Sequence, residues 1–185
     1  RHTRCSGVSW LGDVYKRQIE EDGHKYMFWG SFRGIWAIEL ADDGLSLKPG
    51  AGKRKIAGDQ YEGTYIHKRD GYYYLIVSTG DFMKDYHVVV GRSRSLMGPY
   101  VDRAGRDMLG VHHELVVGNG NGFVAPGHNA EFITDDKGQD WMLYHTRLEV
   151  GGPRYLLLDR IEWNDGWPEV RGHVPARSAE APVFE

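Results

Sequence analysis

One ten-residue pattern occurs three times in this chain of 185 residues, at 22–31, 70–79 and 137–146. Each copy has a turn glycine, two further residues, an aromatic residue, three mostly apolar positions and then two mostly small or polar residues. The turn glycines, Gly23, Gly71 and Gly138, are separated by 48 and 67 residues. This unequal spacing excludes a tight solenoid and favours the blades of a β-propeller joined by connections of variable length.

Short aromatic or β-branched runs bounded by Gly, Asp or Pro dominate the rest of the chain, which predicts an all-β fold. Five dipeptides are typical of hairpin turns with a glycine at positive φ: Asp22-Gly23, Asp43-Gly44, Asp70-Gly71, Lys137-Gly138 and Asp165-Gly166. No convincing amphipathic helix is present. We expect residues 100–123 to form a long irregular crossing near the ligand face. Metal binding by the adjacent His112 and His113 is disfavoured, since neighbours on an extended strand face opposite ways.

Composition limits the classes of partner. The hydrophobic share of 41% suffices for the core of one domain, and the net charge is -3 with a pI near 6.3. Without a basic run, nucleic acid and anionic membranes are disfavoured as partners. No apolar stretch approaches the roughly 20 residues that span a bilayer. The single cysteine, Cys5, cannot form an internal disulfide. A neutral or weakly charged ligand fits best.

The first 18 residues lack the alternation of the remainder and look like translated adapter DNA, so we exclude residues 1–18 from fold reasoning and assign the fold to 19–185. In the repeat, the position nine residues before each turn glycine is predicted to open the innermost strand of a blade. These positions hold Val14, Glu62 and Asn129. Two of the three are polar residues suited to a site in a central channel.

Several segments together resemble glycoside hydrolase family 43, and most closely its endo-arabinanases. They are residues 29–40, 61–66, 90–100, 125–130, 144–147 and 163–168. The resemblance covers about residues 19–175 and lies in the order and spacing of the motifs. It implies a five-bladed β-propeller with its active site in the mouth of the central channel, of which this chain holds about three blades, the C-terminal part.

The resemblance also implies hydrolysis of a glycosidic bond with inversion, for which two carboxylates stand roughly 6.5–9.5 Å apart. Glu62 matches the general acid, which must hold its proton near neutrality. A second acid is expected at the position of Val14, and Asp13 is one residue out of register. The catalytic base belongs to a blade absent from this sequence. We therefore expect the polypeptide as given to be inactive.

Other residues have expected roles by the same resemblance. His128 matches a channel histidine beside a central calcium or other cation, for which one imidazole needs water as the main co-ligand. Substrate contacts are predicted at Ser31, Phe32, Thr79, Asn129 and Arg147. We do not assign sugar binding to Trp141 or to the run 72–74, because a strand buries alternate members of such a run.

Three functional interpretations stay open at this point. In the first, the chain is part of a hydrolase of α-1,5-arabinan. In the second, it is part of an exo-acting arabinofuranosidase or β-xylosidase of the same family. In the third, it is part of a non-catalytic carbohydrate-binding propeller. The first predicts arabinan or arabino-oligosaccharide as the partner. We expect the complete protein to be a monomer. We also expect it to be secreted, because arabinan is a polymer outside the cell.

Overall fold

The computed structural model describes residues 17–185, and Cys5, Asp13 and Val14 lie outside that range. Every regular element in it is a β-strand, apart from two single 3-10 turns at Met108–Gly110 and Arg171–His173. The predicted all-β class is therefore confirmed. Within residues 17–185, no helix has the length and apolar character needed to cross a membrane.

Sheet 1 contains four antiparallel strands in chain order: β1 (Arg17–Glu21), β2 (His24–Trp29), β3 (Ile35–Leu40) and β4 (Arg54–Ala57). The strand β1 pairs with β2 along its whole length and begins two residues before the boundary proposed at Ile19. The β1–β2 turn is formed by the first of the five glycines predicted to have positive φ. All five do, with φ between +67° and +78°.

Sheet 2 is also antiparallel and in chain order, with β5 (Glu62–Arg69), β6 (Tyr72–Thr79), β7 (His87–Ser93) and β8 (Glu114–Val117). Glu62 opens the first strand, as the repeat predicted. The irregular crossing expected at 100–123 is wrong in part. Residues 108–110 form a 3-10 turn, and β8 pairs with β7, because Leu115 and Val117 match the apolar positions of that strand.

Sheet 3 has an interrupted first strand. Both β9 (Val124–Gly127) and β10 (Phe132–Thr134) pair with β11 (Asp140–Arg147), which pairs with β12 (Tyr155–Arg160). The prediction that Asn129 opens this strand is wrong. His128 has φ +54°, so the backbone leaves the extended conformation there and strand pairing resumes only at residue 132.

A separate hairpin, β13 (Glu162–Asn164) and β14 (Trp167–Glu169), follows sheet 3. The core lies between the sheets. Along β6, Tyr73 and Leu75 pack toward sheet 1, whereas Tyr74 and Ile76 pack toward sheet 3, as a period of two requires. The prediction that the tyrosine run and Trp141 are core residues is borne out for Tyr73, Tyr74 and Trp141, which are all buried. Within residues 17–185, no sheet closes on itself.

Candidate active site

A cleft of about 560 Å³ opens where the three sheets meet. Sheet 1 contributes Ser31 from the segment after β2, sheet 2 contributes Glu62, and sheet 3 contributes His128 and His145. Three segments that are far apart in the sequence therefore supply side chains to one cavity.

Both carboxylate oxygens of Glu62 accept hydrogen bonds from neutral hydroxyl groups. Ser31 Oγ donates to Oε2 at 2.9 Å, and the Tyr86 hydroxyl donates to Oε1. The backbones of Ser31 and Glu62 also form a β-bridge between sheets 1 and 2, and the Glu62 side chain is mostly buried. The carboxyl group is therefore fixed in position and still faces the cleft.

The ring of Tyr86 packs against two residues of sheet 3. The ring stacks on His145, with centroids 5.8 Å apart and planes at 23°. On another side lies Gly127, where a β-carbon would overlap the ring. Burial, followed by the hydrogen bond to Glu62 and its negative charge, raises the pKa of Tyr86 well above its usual value. The hydroxyl thus keeps its proton and acts as a donor.

His128 approaches the same pair. Its Nδ1 atom lies 3.4 Å from the Tyr86 hydroxyl oxygen and 3.9 Å from Glu62 Oε1, and its backbone N–H donates to Ser78 Oγ at 2.8 Å. His128 has a left-handed backbone conformation, and its ring lies next to Gly63.

The side chains around His128 include few of the oxygen ligands that calcium prefers. Calcium takes six to eight oxygen ligands, whereas this part of the cleft offers the imidazoles of His128 and His145, with ring centroids 6.4 Å apart, and the carboxylate of Glu62. No group of three or more His, Cys, Asp or Glu suited to a metal is present in residues 17–185. These residues alone do not form a calcium site.

His145 lies beside Tyr86 and was not predicted from the sequence. Burial, followed by the charge of Arg154, lowers the pKa of His145 to about 4, so its ring is neutral near pH 7. His145 and Ser78 both stand seven residues after a turn glycine of the repeat. That shared position is the signal that could have identified them. Tyr86, in contrast, lies outside the repeat.

The profile for glycosyl hydrolases family 43 matches residues 17–168. The chain belongs to this family. Glycosidases of this kind generally use a pair of carboxyl groups, and within residues 17–185 Glu62 is the one carboxylate that lines the cleft.

Two curated relatives show the level of sequence similarity. The extracellular endo-alpha-(1->5)-L-arabinanase of Thermotoga petrophila is 32% identical over 180 residues, covering 80% of this chain and 38% of that protein. The extracellular endo-alpha-(1->5)-L-arabinanase 2 of Bacillus subtilis is 29% identical, with 81% and 39% covered. The chain thus spans about two fifths of the length of these relatives.

A solved structure of Cellvibrio cellulosa alpha-L-arabinanase complexed with arabinohexaose matches with a TM-score of 0.75 and 28% identity. The match covers 89% of this chain and 59% of that one. The fold described above is therefore similar to that of this arabinanase over 89% of the present chain.

The remaining predicted residues divide into two groups. Phe32 lines the cleft next to Ser31, with φ +47° and a half-exposed ring. Thr79, Asn129 and Arg147 are buried and do not line it. The Arg147 guanidinium instead donates to backbone carbonyls, those of Phe82 and Gly152.

Proposed function

We propose that this chain is part of a hydrolase of α-1,5-arabinan in which Glu62 is the general acid. The observation that carries the proposal is the placement of a single, doubly hydrogen-bonded carboxyl group in the cleft between the three sheets. The names of the two curated relatives support arabinan as the substrate.

The geometry suits proton donation to a leaving oxygen. When Glu62 gives up its proton, negative charge develops on its two oxygens, and the hydroxyl groups of Ser31 and Tyr86 already point at them. Donors arranged in advance where charge develops lower the barrier without reorganisation. Inversion requires a second carboxylate to activate water on the opposite face of the sugar. In this proposal that carboxylate comes from outside residues 17–185.

The same proposal interprets the three sheets as blades of a five-bladed propeller. The threefold repeat, one inner strand per copy, and the similarity to the arabinanase structure support this. Residues 19–185 then form its C-terminal part. Because the relatives are named extracellular, we also propose that the complete protein is secreted.

The cation predicted at His128 is a further part of the proposal. Water and groups outside the described residues would supply the oxygen ligands. Metal analysis of the purified protein, with His128→Gln as the comparison, tests it: bound calcium in the wild type and less in the variant is the expected result.

A hybrid enzyme tests the function. Residues 17–185 replace the corresponding part of the Thermotoga petrophila endo-arabinanase, and reducing ends released from linear arabinan are measured. We expect activity in the hybrid, none in the 185-residue chain, and a loss of about 10²–10⁴-fold with Glu62→Gln. Glu20→Gln, at an exposed position of β1, is the matched control. A folded hybrid that is equally active with and without E62Q contradicts the proposal.

A further inference from the structure

Two chain segments that the proposed mechanism does not use form the outer wall of the cleft. We call residues 81–85 and 148–156 together the rim. Phe82, Arg154, Tyr155 and Leu156 of the rim line the cleft. Phe82 and Tyr155 are each 45% exposed and Leu156 is 71% exposed. The rim thus presents two aromatic side chains and a cation beside the site that contains Glu62.

Arg147, the last residue of β11, joins the two segments. Its Nε donates to the Phe82 carbonyl at 3.2 Å, one Nη donates to the Gly152 carbonyl, and the other lies 3.5 Å from Met83 Sδ. The side chain is 6% exposed. Guanidinium has five donors and no acceptor, so burial makes these partners necessary. Arg147 is therefore committed to the rim and not to the cavity.

Further contacts fix the rim. The Gly151 N–H donates to the Met83 carbonyl at 3.1 Å, and the Arg154 guanidinium lies 6.0 Å from the centre of the Phe82 ring. The first segment is closed by Asp85 Oδ1, which accepts from the Asp81 N–H at 2.6 Å. The wall is thus organised before a ligand arrives, which reduces the entropy lost on binding.

We propose that the rim is a carbohydrate-binding wall for an uncharged pentose oligosaccharide, and that Arg147 is the positioning residue that sets it. Phe82 and Tyr155 contact sugar faces, Arg154 donates to sugar hydroxyls, and Arg147 acts through Phe82. The inference rests on the proposed function, because continuity with the cleft around Glu62 identifies the ligand. In this inference Arg147 holds the two rim segments in place, whereas the sequence predicted that it would contact the sugar.

Binding of arabinohexaose to the 185-residue chain, measured by calorimetry and NMR titration, tests the inference. Because each substitution removes apolar contact with a sugar face, we expect F82A and Y155A to weaken binding about tenfold. Their unfolding midpoints should match the wild type, since both side chains are half exposed. L47A removes an exposed leucine outside the cleft and should leave affinity unchanged.

A double-mutant cycle tests the role of Arg147. R147K should weaken binding and open residues 81–85 to protease, and its effect should not add to that of F82A if Arg147 acts through Phe82. Additive losses would leave Arg147 with an unrelated structural role and overturn that assignment.

Three other results overturn the inference: no binding by the wild-type chain, wild-type affinity in both F82A and Y155A, or a change of oligomeric state in these variants without a change in affinity. The last result would mean that the rim contacts a second copy of the chain. The proposed function fails separately, through E62Q in the hybrid. If the hybrid is active but F82A and Y155A leave ligand affinity unchanged, the proposed role of the rim is refuted and the proposed function is not.

Discussion

The hydroxyl of Tyr86 donates a hydrogen bond to Oε1 of Glu62, across a separation of 24 residues in the sequence. The ring behind that hydroxyl is 1% exposed and stacks on His145. Ser31 holds the other carboxylate oxygen. The orientation of the proposed acid is thus determined by residues of sheets 1 and 2, while sheet 3 supports the tyrosine.

Tyr86→Phe removes only the hydroxyl. We expect the free energy of unfolding to fall by about 1 kcal/mol, because a buried hydrogen bond is lost and Oε1 of Glu62 loses a donor. Urea denaturation of the 185-residue chain measures this. Tyr155→Phe, at a half-exposed ring, should stay within about 0.5 kcal/mol of the wild type. A Tyr86→Phe variant that also stays within about 0.5 kcal/mol of the wild type would show that the Tyr86 hydroxyl contributes no net stability.

Gly127→Ala tests the packing that holds Tyr86. A β-carbon at Gly127 would overlap the ring, so either the ring or β9 must move. We expect a loss of about 1–3 kcal/mol, typical of overpacking. Gly52→Ala is the matched control, because nothing lies within 4 Å of a β-carbon there. A Gly127→Ala variant as stable as the control would refute the overlap.

His113 provides a prediction for pH. Burial, followed by the charge of His87, lowers the pKa of His113 to about 4, and the Tyr61 hydroxyl lies 2.8 Å from its Nδ1. In the unfolded chain the pKa is about 6.5. Between these values the unfolded state binds a proton that the folded state does not, so this contribution to stability is lost as pH falls from about 6.5 toward 4.

His113 changes the free energy of unfolding by at most about 1.4 kcal/mol per pH unit in this range. Unfolding by urea at several pH values, in the wild type and in His113→Gln, measures it. We expect a shallower dependence in the variant across that window. An identical dependence in both proteins would mean that His113 titrates alike in the folded and unfolded states.

Asp135 provides a prediction for the C-terminal segment. Its Oδ2 accepts from Trp141 Nε1 at 3.0 Å and from the Val183 N–H at 3.3 Å, while Oδ1 accepts from the N–H groups of Lys137 and Gln139. In Asp135→Asn one carboxylate oxygen is replaced by an amide NH₂ group. That NH₂ group would face N–H donors and could not accept their hydrogen bonds. We expect a loss of about 1–3 kcal/mol, measured by thermal or urea unfolding.

The same variant should also release residues 177–185 to carboxypeptidase digestion, since the Val183 contact is lost. Asp165→Asn is the control, because Asp165 is in a turn at φ +52°, a conformation that asparagine tolerates. Resistance to digestion equal to that of the control would count against the anchoring role of Asp135.

The local pattern of the sequence was enough to predict the all-β class, the turn glycines and the position of Glu62 at the start of β5, but not β8 or the break between β9 and β10. Turn glycines require positive φ, and the period of two sorts Tyr73 and Tyr74 to opposite faces. Both are properties of neighbouring residues, which a sequence displays directly.

The rest of the site depends on contacts between distant segments. Tyr86 reaches Glu62 only because β7 pairs with β6, and the sequence around Tyr86 carries no sign of that partner. Arg147 resembled a sugar ligand because a guanidinium suits hydroxyl groups, but its length lets it reach backbone carbonyls of two loops instead. The break at His128 is another such case, since Asn129 follows the repeat in sequence and departs from it in structure.

No single sheet provides the whole cluster around Glu62. Ser31 comes from the part of the chain that forms sheet 1, Glu62 and Tyr86 from sheet 2, and His128 from sheet 3. If the sheets moved apart by a few ångströms, the hydrogen bonds between these side chains would break, although every strand would stay paired within its own sheet. Ligand affinity therefore reports how closely the three sheets pack against one another. During heating, we expect ligand affinity to fall at a lower temperature than the one at which circular dichroism detects loss of β-structure.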